Sequence, residues 1–361
     1  MTAIQPKMGQ SPRKLSTPIR VMLVDDSIVA RSILERILSQ RDDIEIIHKA
    51  EDTESALRML KKQDVDIILL DIEMPKRNGL DALPEFIAQA KGARILIVSS
   101  FAEENGPAAI QALSLGACDT LAKPGRTNYT GQFSATLVDK VVRLGRSRKP
   151  SKTNVVLNTP NKGVISRASP KCIAIGASTG GIPAIYEIIR NLSASITCPI
   201  FITQHLPDTF MTFFANQLSA QTDRTVVVAE QSMRVQDNYV YVAPGLAHLG
   251  CEKQGDTVQI SLRESYTHSR YCPSVDAMFE SVAALYGTRC VGIVLSGMGN
   301  DGAQGAHCLN AAKSTILIQD SDSSVIWGMP GAVAREGFAG AILNPREIAN
   351  VLNNMESKVS A

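Results

Sequence analysis

Short apolar runs alternate with amphipathic segments along the first third of the chain. The run IRVMLV at residues 19–24 predicts a buried strand, and Ser27 is placed to cap a helix whose apolar residues recur on one face. Further strands are predicted at IEIIHKA, DIILLD, ARILIVSS and the segment that ends in DTLAKP, with a helix at SALRMLKKQ. This βα alternation predicts a parallel sheet with helices on both faces.

The same alternation restarts near residue 170 and predicts a second, doubly wound parallel α/β domain. NYVYVAP and TVQISL are expected to pair as an antiparallel edge. The other predicted strands are CIAIG, PIFITQ, TVVVAE, CVGIVLSG and STILIQD, and the predicted helices are GIPAIYEIIRNL, SVDAMFESVAALYG and GAQGAHCLNAA.

A chain of 361 residues favours two domains over one. We expect a disordered tail at 1–18, a first domain at 19–142, a linker at 143–169 and a second domain at 170–355. The stretch from Arg143 to Lys171 carries many cations, Pro and Ser but no Asp or Glu. It is interpreted as a flexible basic linker, with a specific docking motif as the alternative.

Composition narrows the class of protein. A net charge of +2 argues against nucleic acid as the main partner. No apolar run is long enough for a membrane-spanning helix, and the first 20 residues lack the apolar core of a secretory signal. The seven cysteines are odd in number and form no C-x-x-C pair, as in a protein of the reducing cytosol. We therefore expect a cytoplasmic protein without membrane insertion.

Polar side chains end the predicted strands of the first domain. Asp25 and Asp26 follow the first strand, Asp71 the third, Ser99 the fourth and Lys123 the fifth. Ligands of open parallel sheets bind at this edge. Converging carboxylates need a cation, and hard oxygen ligands suit Mg²⁺. A carboxylate there can act as nucleophile toward a phosphoryl group, while the lysine and hydroxyl hold its oxygens.

The segments VDDS, LLDIEMPKRNGLD, IVSS and AKP resemble the receiver domain of two-component response regulators, which implies a flavodoxin-like fold for the first domain. The resemblance implies that Asp71 is the phosphoacceptor and that Mg²⁺ is bound by Asp25, Asp26 and Asp71. It also implies that Ser99 is the switch hydroxyl and Lys123 the phosphate-sensing lysine. Thr120 stands where many receivers have an aromatic residue, so the usual aromatic switch is in doubt.

In the second domain, CIAIG continues into GASTGG, which has the G-x-S-x-G spacing of a nucleophile elbow around Ser178. The helix that follows offers free N–H groups for an oxyanion. A phosphate-binding loop is the rival interpretation, but Ile182 and Pro183 stand where Lys and Ser or Thr are required. A tight turn without chemistry is the other alternative.

A nucleophilic serine needs a base, and the chain has five histidines. His205 is favoured because PIFITQ delivers it at the carboxyl end of a strand, at the edge that presents Ser178. His248, in a loop after a strand, is the alternative. His48, His268 and His307 are interpreted as packing or surface residues.

The third member of the predicted trio is a carboxylate that orients the imidazole. Asp301 lies in GMGNDGAQG directly after CVGIVLSG, and the glycines allow that loop to approach the site. The chain order Ser178, His205, Asp301 differs from the Ser, Asp, His order of ordinary α/β-hydrolases.

IGASTGG, TQHLP, YVAPG, SGMGNDGA and WGMPGAV together resemble the catalytic domain of chemotaxis protein-glutamate methylesterases. The resemblance implies Ser178 as nucleophile, His205 as base and Asp301 as orienting acid, with Thr179 and Met298 in the oxyanion hole. It implies hydrolysis of glutamate γ-methyl esters without a cofactor, together with glutamine deamidation. The implied partners are methylated chemoreceptors as substrate and a chemotaxis histidine kinase as phosphodonor.

Two other functions remain as alternatives. A non-enzymatic regulator whose output domain only binds a partner would keep the acidic pocket and need none of the catalytic trio. A nucleotide-binding output domain is weakened by the missing lysine of the phosphate-binding loop.

Overall fold

In the computed structural model, residues 17–100, 106–123, 131–147, 168–267 and 269–356 are described. The first domain is a five-stranded parallel sheet of order β2-β1-β3-β4-β5. Its strands are β1 (Ile19–Val24), β2 (Ile44–Ala50), β3 (Ile67–Leu70), β4 (Arg94–Ser100) and β5 (Asp119–Lys123). Its helices are α1 (Ile28–Leu38), α2 (Thr53–Leu60), α3 (Gly79–Gln89), α4 (Gly106–Leu115) and α5 (Gly131–Arg146).

The local features expected of this domain are present. Ser27 caps α1, its side chain accepting a hydrogen bond from the N–H of Ala30. Strand β3 is buried along its whole length, as a central strand between two helical layers must be. Helix α5 continues to Arg146, beyond the boundary at residue 142 that the sequence predicts. Most of the expected tail and linker lies outside the described residues.

The second domain has a seven-stranded parallel sheet of order β14-β13-β12-β6-β7-β9-β8. The chain starts it at β6, adds β7 on one side and β12 on the other. Its strands are β6 (Cys172–Ala177), β7 (Ile200–Gln204), β8 (Thr225–Val228), β9 (Tyr239–Val242), β12 (Cys290–Val294), β13 (Thr315–Gln319) and β14 (Ala341–Leu343). Its helices are α6 (Gly181–Arg190), α7 (Asp208–Ser219), α8 (Val275–Tyr286), α9 (Ala303–Ala311), α10 (Met329–Glu336) and α11 (Pro345–Glu356).

One expected pairing is wrong. The segment NYVYVAP forms β9 inside the parallel sheet, and TVQISL instead pairs with the segment before it. That antiparallel pair is β10 (His248–Gln254) and β11 (Thr257–Arg263). Tyr241 of β9 is fully buried, as a strand inside the sheet requires. Its hydroxyl is satisfied inside, because it donates to the Arg234 carbonyl and accepts from the Gln236 N–H.

The two domains pack against each other. Helix α4 of the first domain lies on α6 and α7 of the second. One apolar cluster runs through both domains, and Ile326 of the second domain is buried in the other core cluster of the first. The predicted α/β fold with parallel sheets in both halves is therefore confirmed. The start of β5 in the first domain contacts the turn after β6 in the second.

Candidate active site and acidic pocket

The predicted acidic residues come together at the carboxyl ends of β1 and β3. One oxygen from each of Asp25, Asp26 and Asp71 can be chosen so that all lie within 4.8 Å of one another. Asp25 and Asp71 are buried, whereas Asp26 is exposed. Lys123 reaches in from β5, with its Nζ 2.7 Å from Asp25 Oδ2 and 2.5 Å from Asp71 Oδ2. The arrangement places one cation between two buried carboxylates.

Burial dominates the electrostatics of Asp71. It raises the pKa of this carboxyl to about 6, although Lys123 acts in the opposite direction. Burial also acts to lower the pKa of Lys123, but the carboxylates of Asp71 and Asp25 outweigh it, so that pKa is raised. The Ser99 hydroxyl at the end of β4 is buried and has no hydrogen-bond partner among the described residues. The strand ends of the receiver thus present a buried hydroxyl without a described partner and two buried carboxylates that share one lysine.

The second site begins at the turn between β6 and α6. Gly180 has φ of +73°, and a Cβ there would lie 2.3 Å from Val325 Cβ. A Cβ on Gly176 would lie 2.2 Å from Val275 Cγ1. Both glycines of the G-x-S-x-G motif are therefore required by close approach, and Gly180 by its backbone conformation as well. The turn places Ser178 at the carboxyl end of the central strand of the sheet.

His205 follows β7, the neighbour of β6. Because Ala177 pairs with Gln204 across the two strands, the next residues on each strand are Ser178 and His205. His205 Nε2 lies 2.8 Å from Asp301 Oδ2, and Asp301 lies in the loop after β12 on the other side of β6. The three predicted residues therefore follow three adjacent strands of the sheet, β7, β6 and β12. No hydrogen bond joins the Ser178 hydroxyl to the imidazole within the described part of the chain.

The Asp301 carboxylate lies at the N-terminus of α8. It accepts hydrogen bonds from the Ser274 hydroxyl at 2.8 Å and from the N–H groups of Val275 and Asp276 at 2.8 and 3.1 Å. Burial acts to raise its pKa, but the hydrogen bond with His205 and these N–H groups outweigh burial and lower that pKa. Asp301 is therefore held ionised against the imidazole.

Asp276 was missed by the sequence reasoning. Its Oδ1 accepts from the N–H groups of Gly302 and Gly305 at 2.8 and 2.7 Å, at the start of α9. Asp301 binds the first turn of α8, the helix that contains Asp276. Asp276 in turn binds the first turn of α9, the helix that follows Asp301. Burial, reinforced by Asp301, raises the pKa of Asp276 to about 7. In the sequence, an acid three residues after a proline looks like an ordinary helix start.

The remaining histidines have other surroundings. His248 begins β10 instead of lying in a loop, and its Nδ1 accepts from the Ser274 N–H at 3.1 Å. Its burial lowers its pKa. His48 is in β2, and His307 is in α9 with its ring edge-on to Phe338. His268 lies outside the described residues.

Two N–H groups close to Ser178 have no acceptor among the described residues. Neither the Thr179 N–H nor the Met298 N–H donates to another residue in the part of the chain that the structure describes. Thr179 comes after β6 and Met298 after β12, and these two strands pair with each other. Free donors at this position are what a developing oxyanion requires.

The first domain covers this site with β5 and its preceding loop. Thr179 Oγ1 donates to Asp119 Oδ2 at 2.7 Å, and the Gly180 N–H donates to the Cys118 carbonyl at 2.9 Å. Lys140 of α5 binds the same Asp119 oxygen. The cavity that remains around Ser178 measures about 10 Å³, which is room for one water at most. No ester substrate fits there without movement of the two domains.

Comparison with known proteins agrees with both domains. The family described as CheB methylesterase matches residues 173–352, and the response regulator receiver domain family matches residues 21–129. A protein-glutamate methylesterase/protein-glutamine glutaminase of Azospirillum brasilense is 34% identical, over 95% of this chain and 94% of its own length. The chain belongs to the CheB methylesterase family.

Two further similarities support this family assignment. A protein-glutamate methylesterase/protein-glutamine glutaminase of Caulobacter vibrioides is 37% identical over 90% of this chain and 95% of its own length. The crystal structure of the Thermotoga maritima CheB methylesterase catalytic domain aligns with a TM-score of 0.50 and 34% identity, covering 52% of this chain and all of that one.

The predictions of a receiver followed by a methylesterase domain, and of an enzyme of this family, are confirmed. Of the helices in the described ranges, none combines the length and the apolar character that crossing a membrane requires. The roles of the individual site residues stay predictions.

Proposed function

We propose that the chain hydrolyses γ-methyl esters of glutamates on chemoreceptors, releasing methanol, and that its receiver domain restrains this reaction until Asp71 is phosphorylated. The observation that carries the proposal is the hydrogen bond between His205 Nε2 and the buried Asp301 carboxylate, one strand away from Ser178. The names of the relatives support the substrate class, since those proteins are called glutamate methylesterases and glutamine glutaminases.

The ionised Asp301 determines which imidazole nitrogen acts as base. A carboxylate accepts a hydrogen bond, so Nε2 of His205 carries the proton and donates it to Asp301. In neutral imidazole the other nitrogen, Nδ1, then has the lone pair. It takes the proton of the Ser178 hydroxyl when that oxygen attacks the ester carbonyl, and Asp301 stabilises the imidazolium that results.

The tetrahedral intermediate carries a negative oxygen. The N–H groups of Thr179 and Met298 are the free donors at this edge and are proposed to bind it, a contribution of about 3 to 4 kcal/mol for each donor. His205 returns its proton to the leaving methoxide, and methanol departs from an acyl-serine. A water then attacks the acyl group with His205 as base, which releases glutamate and restores Ser178. With a glutamine side chain the same steps release ammonia.

The proposed restraint rests on the receiver contact. Asp119 binds the hydroxyl of Thr179, and the Cys118 carbonyl binds the Gly180 N–H, so the start of β5 holds the nucleophile turn. Phosphorylation of Asp71 adds charge at the carboxyl end of the receiver sheet, within reach of Lys123. Lys123 ends β5, the strand whose first residue, Asp119, binds the nucleophile turn. A shift of β5 toward the phosphoryl group would release the turn.

The acidic pocket fits the Mg²⁺ that receiver chemistry uses. Three carboxylates supply hard oxygen ligands within 4.8 Å of one another, and Asp71 is one of them. The ion would be held by Asp25, Asp26 and Asp71 and would neutralise charge on the incoming phosphoryl group. The phosphorus–nitrogen bond of a kinase phosphohistidine breaks as the Asp71 oxygen bonds to phosphorus. The buried, unpartnered Ser99 hydroxyl is proposed to bind one phosphoryl oxygen, with Lys123 binding another.

The test is methanol release from methylated receptor membranes by the full chain. Activity should rise when a small phosphodonor and Mg²⁺ are added, and the Ser178→Ala variant should release none while keeping its melting temperature. Equal activity of Ser178→Ala and the wild type would exclude Ser178 as the nucleophile. A wild type that is equally fast with and without phosphodonor would contradict the restraint, and the esterase assignment would survive.

A further inference from the structure

The imidazole of His205 is flanked by an aromatic ring. The ring of Tyr271 lies parallel to it, with centroids 4.6 Å apart and an interplanar angle of 10°. Tyr271 is half-buried, and it lies directly before α8 and its capping segment. This contact is separate from the hydrogen bond to Asp301, so two different groups fix the imidazole.

The two restraints act on different motions. A single hydrogen bond at Nε2 fixes one ring atom, but it leaves the ring free to tilt about that point. A parallel ring at van der Waals distance opposes tilting, since any tilt brings imidazole atoms into the phenol. The direction of Nδ1, the atom proposed to receive the Ser178 proton, therefore depends on both contacts.

One short segment supplies both restraints. Tyr271 stacks on His205, and three residues later the Ser274 hydroxyl and the Val275 N–H hold the Asp301 carboxylate at 2.8 Å each. Within this segment, the Tyr271 N–H donates a hydrogen bond to the Ser269 hydroxyl at 3.1 Å, which restrains the local backbone. Base and acid are thus positioned against a common piece of backbone.

The hydroxyl end of the ring reaches the loop that bears Met298 and Asp301. A Cβ on Gly299 would fall 2.3 Å from the Tyr271 hydroxyl, so the phenol occupies the space that a side chain would take there. The ring therefore spans from the imidazole to the loop of the proposed oxyanion donor.

We propose that Tyr271 is a positioning residue for the reaction, whose ring holds the His205 imidazole in the plane from which Nδ1 accepts the Ser178 proton. This inference rests on the proposed esterase function. It matters because the closed form has no Ser178–His205 hydrogen bond within the described residues, so the imidazole needs another restraint until substrate enters. Proton transfer is sensitive to such geometry, and a displacement of about 1 Å can cost up to about a hundredfold in rate.

The experiment compares Tyr271→Leu with Tyr271→Phe in the full chain, with phosphodonor and Mg²⁺ present and methylated receptor membranes as substrate. Tyr271→Leu removes the flat ring and should lower kcat by about tenfold, with KM changed less than about twofold. Tyr271→Phe keeps the ring and should stay within about twofold of the wild type in both constants.

A second measurement avoids the receptor. With phosphodonor and Mg²⁺ present, the rate at which a small fluorophosphonate modifies Ser178 reports how well the serine is activated, and it should fall in Tyr271→Leu and not in Tyr271→Phe. Tyr239→Leu is the matched control, because Tyr239 also stacks on a ring, that of Tyr241 with centroids 5.7 Å apart, but at the amino end of β9. It should leave the labelling rate unchanged.

The possible outcomes separate the inference from the proposed function. Wild-type kcat and labelling in a folded Tyr271→Leu would overturn the inference and leave the esterase standing. A raised KM with unchanged kcat would also overturn it, since Tyr271 would then contact the substrate and not position the base. Should Tyr271→Leu melt early, Tyr271→Gln, which keeps a long side chain without a ring, replaces it. A wild type that releases no methanol would sink the proposed function itself.

Discussion

The two pockets of this molecule are built on the same plan and differ in how their charges are satisfied. Each lies at the carboxyl ends of parallel strands, where the chain reverses its direction of winding. In the receiver, Asp25 and Asp71 share one lysine, and burial still raises the pKa of Asp71 to about 6. In the esterase site, Asp301 has three donors besides the imidazole and a lowered pKa.

The difference indicates what each site is prepared for. The negative charge of the Asp71 carboxylate is only partly balanced by Lys123, so further cations or hydrogen-bond donors would stabilise its ionised form. The esterase carboxylate is fully compensated before any substrate arrives, as preorganised electrostatics requires. One pocket is suited to respond and the other to catalyse, and substitutions should affect them differently.

The largest expected effect comes from removing the charge of Asp301. Asp301→Asn keeps an oxygen that can accept from the first turn of α8, so the fold should remain. It cannot stabilise the imidazolium or fix the tautomer, so kcat should fall by about 10³- to 10⁴-fold. Methanol release with phosphodonor measures this, and a loss smaller than tenfold would mean that another acid orients His205.

The next effect is on stability and concerns Asp276. Its pKa is about 7 in the fold against 3.8 for a free aspartate, so the native state binds more protons than the unfolded chain between these values. The free energy of unfolding should therefore decline as pH rises from about 4 to about 7, by about 2 to 4 kcal/mol. Asp276→Asn has no such proton and should show a flatter profile in urea unfolding measured across that range. Parallel profiles for the variant and the wild type would contradict the assigned pKa.

A smaller effect is expected in the receiver. Asp71→Asn retains the fold but has no carboxylate to phosphorylate, so the stimulation by phosphodonor should vanish while basal methanol release stays within about twofold. Asp42→Asn, an exposed acid between α1 and β2, is the control and should respond like the wild type. Stimulation that persists in Asp71→Asn would show that the phosphodonor acts elsewhere.

The smallest effect concerns the hydrogen bond between the two domains, from the Thr179 hydroxyl to Asp119. Asp119→Ala removes the acceptor of the Thr179 hydroxyl and also the ion pair with Lys140, which lies within the receiver, but it leaves the main-chain bond from Gly180 to Cys118. The one hydrogen bond lost between the domains, worth about 1 kcal/mol, should raise basal activity about fivefold and leave the phosphorylated rate nearly unchanged. Asp139→Ala, which removes the partner of Arg143 on α5, serves as control. Unchanged basal activity in Asp119→Ala would exclude this bond as part of the restraint.

Sequence reasoning was most effective where a motif ended a strand. The strands that end at the predicted site residues were identified from their apolar runs. The receiver sheet brings Asp25, Asp71 and Lys123 to its carboxyl edge, and the sheet of the second domain does the same for Ser178 and His205. Their meeting required only the βα alternation and the rule that ligands bind at carboxyl ends.

Residues whose role depends on tertiary neighbours could not be predicted in this way. Tyr271 and Asp276 precede or begin a helix and carry no local signature, and Asp119 is at the start of its strand. The position of β9 inside the parallel sheet was also missed, because burial of the Tyr241 hydroxyl depends on hydrogen-bond partners at residues 234 and 236. Strand partners are chosen by packing, which a local pattern does not contain.

The main-chain bond between Gly180 and Cys118 has a pharmacological consequence. A compound aimed at Ser178 would have to displace a segment of the enzyme's own polypeptide, which is present at a fixed, high effective concentration and cannot be washed away. Under the proposed restraint, its apparent potency would depend on the open fraction of the population and would increase when Asp71 is phosphorylated. Screening against the resting protein would therefore overlook good ligands.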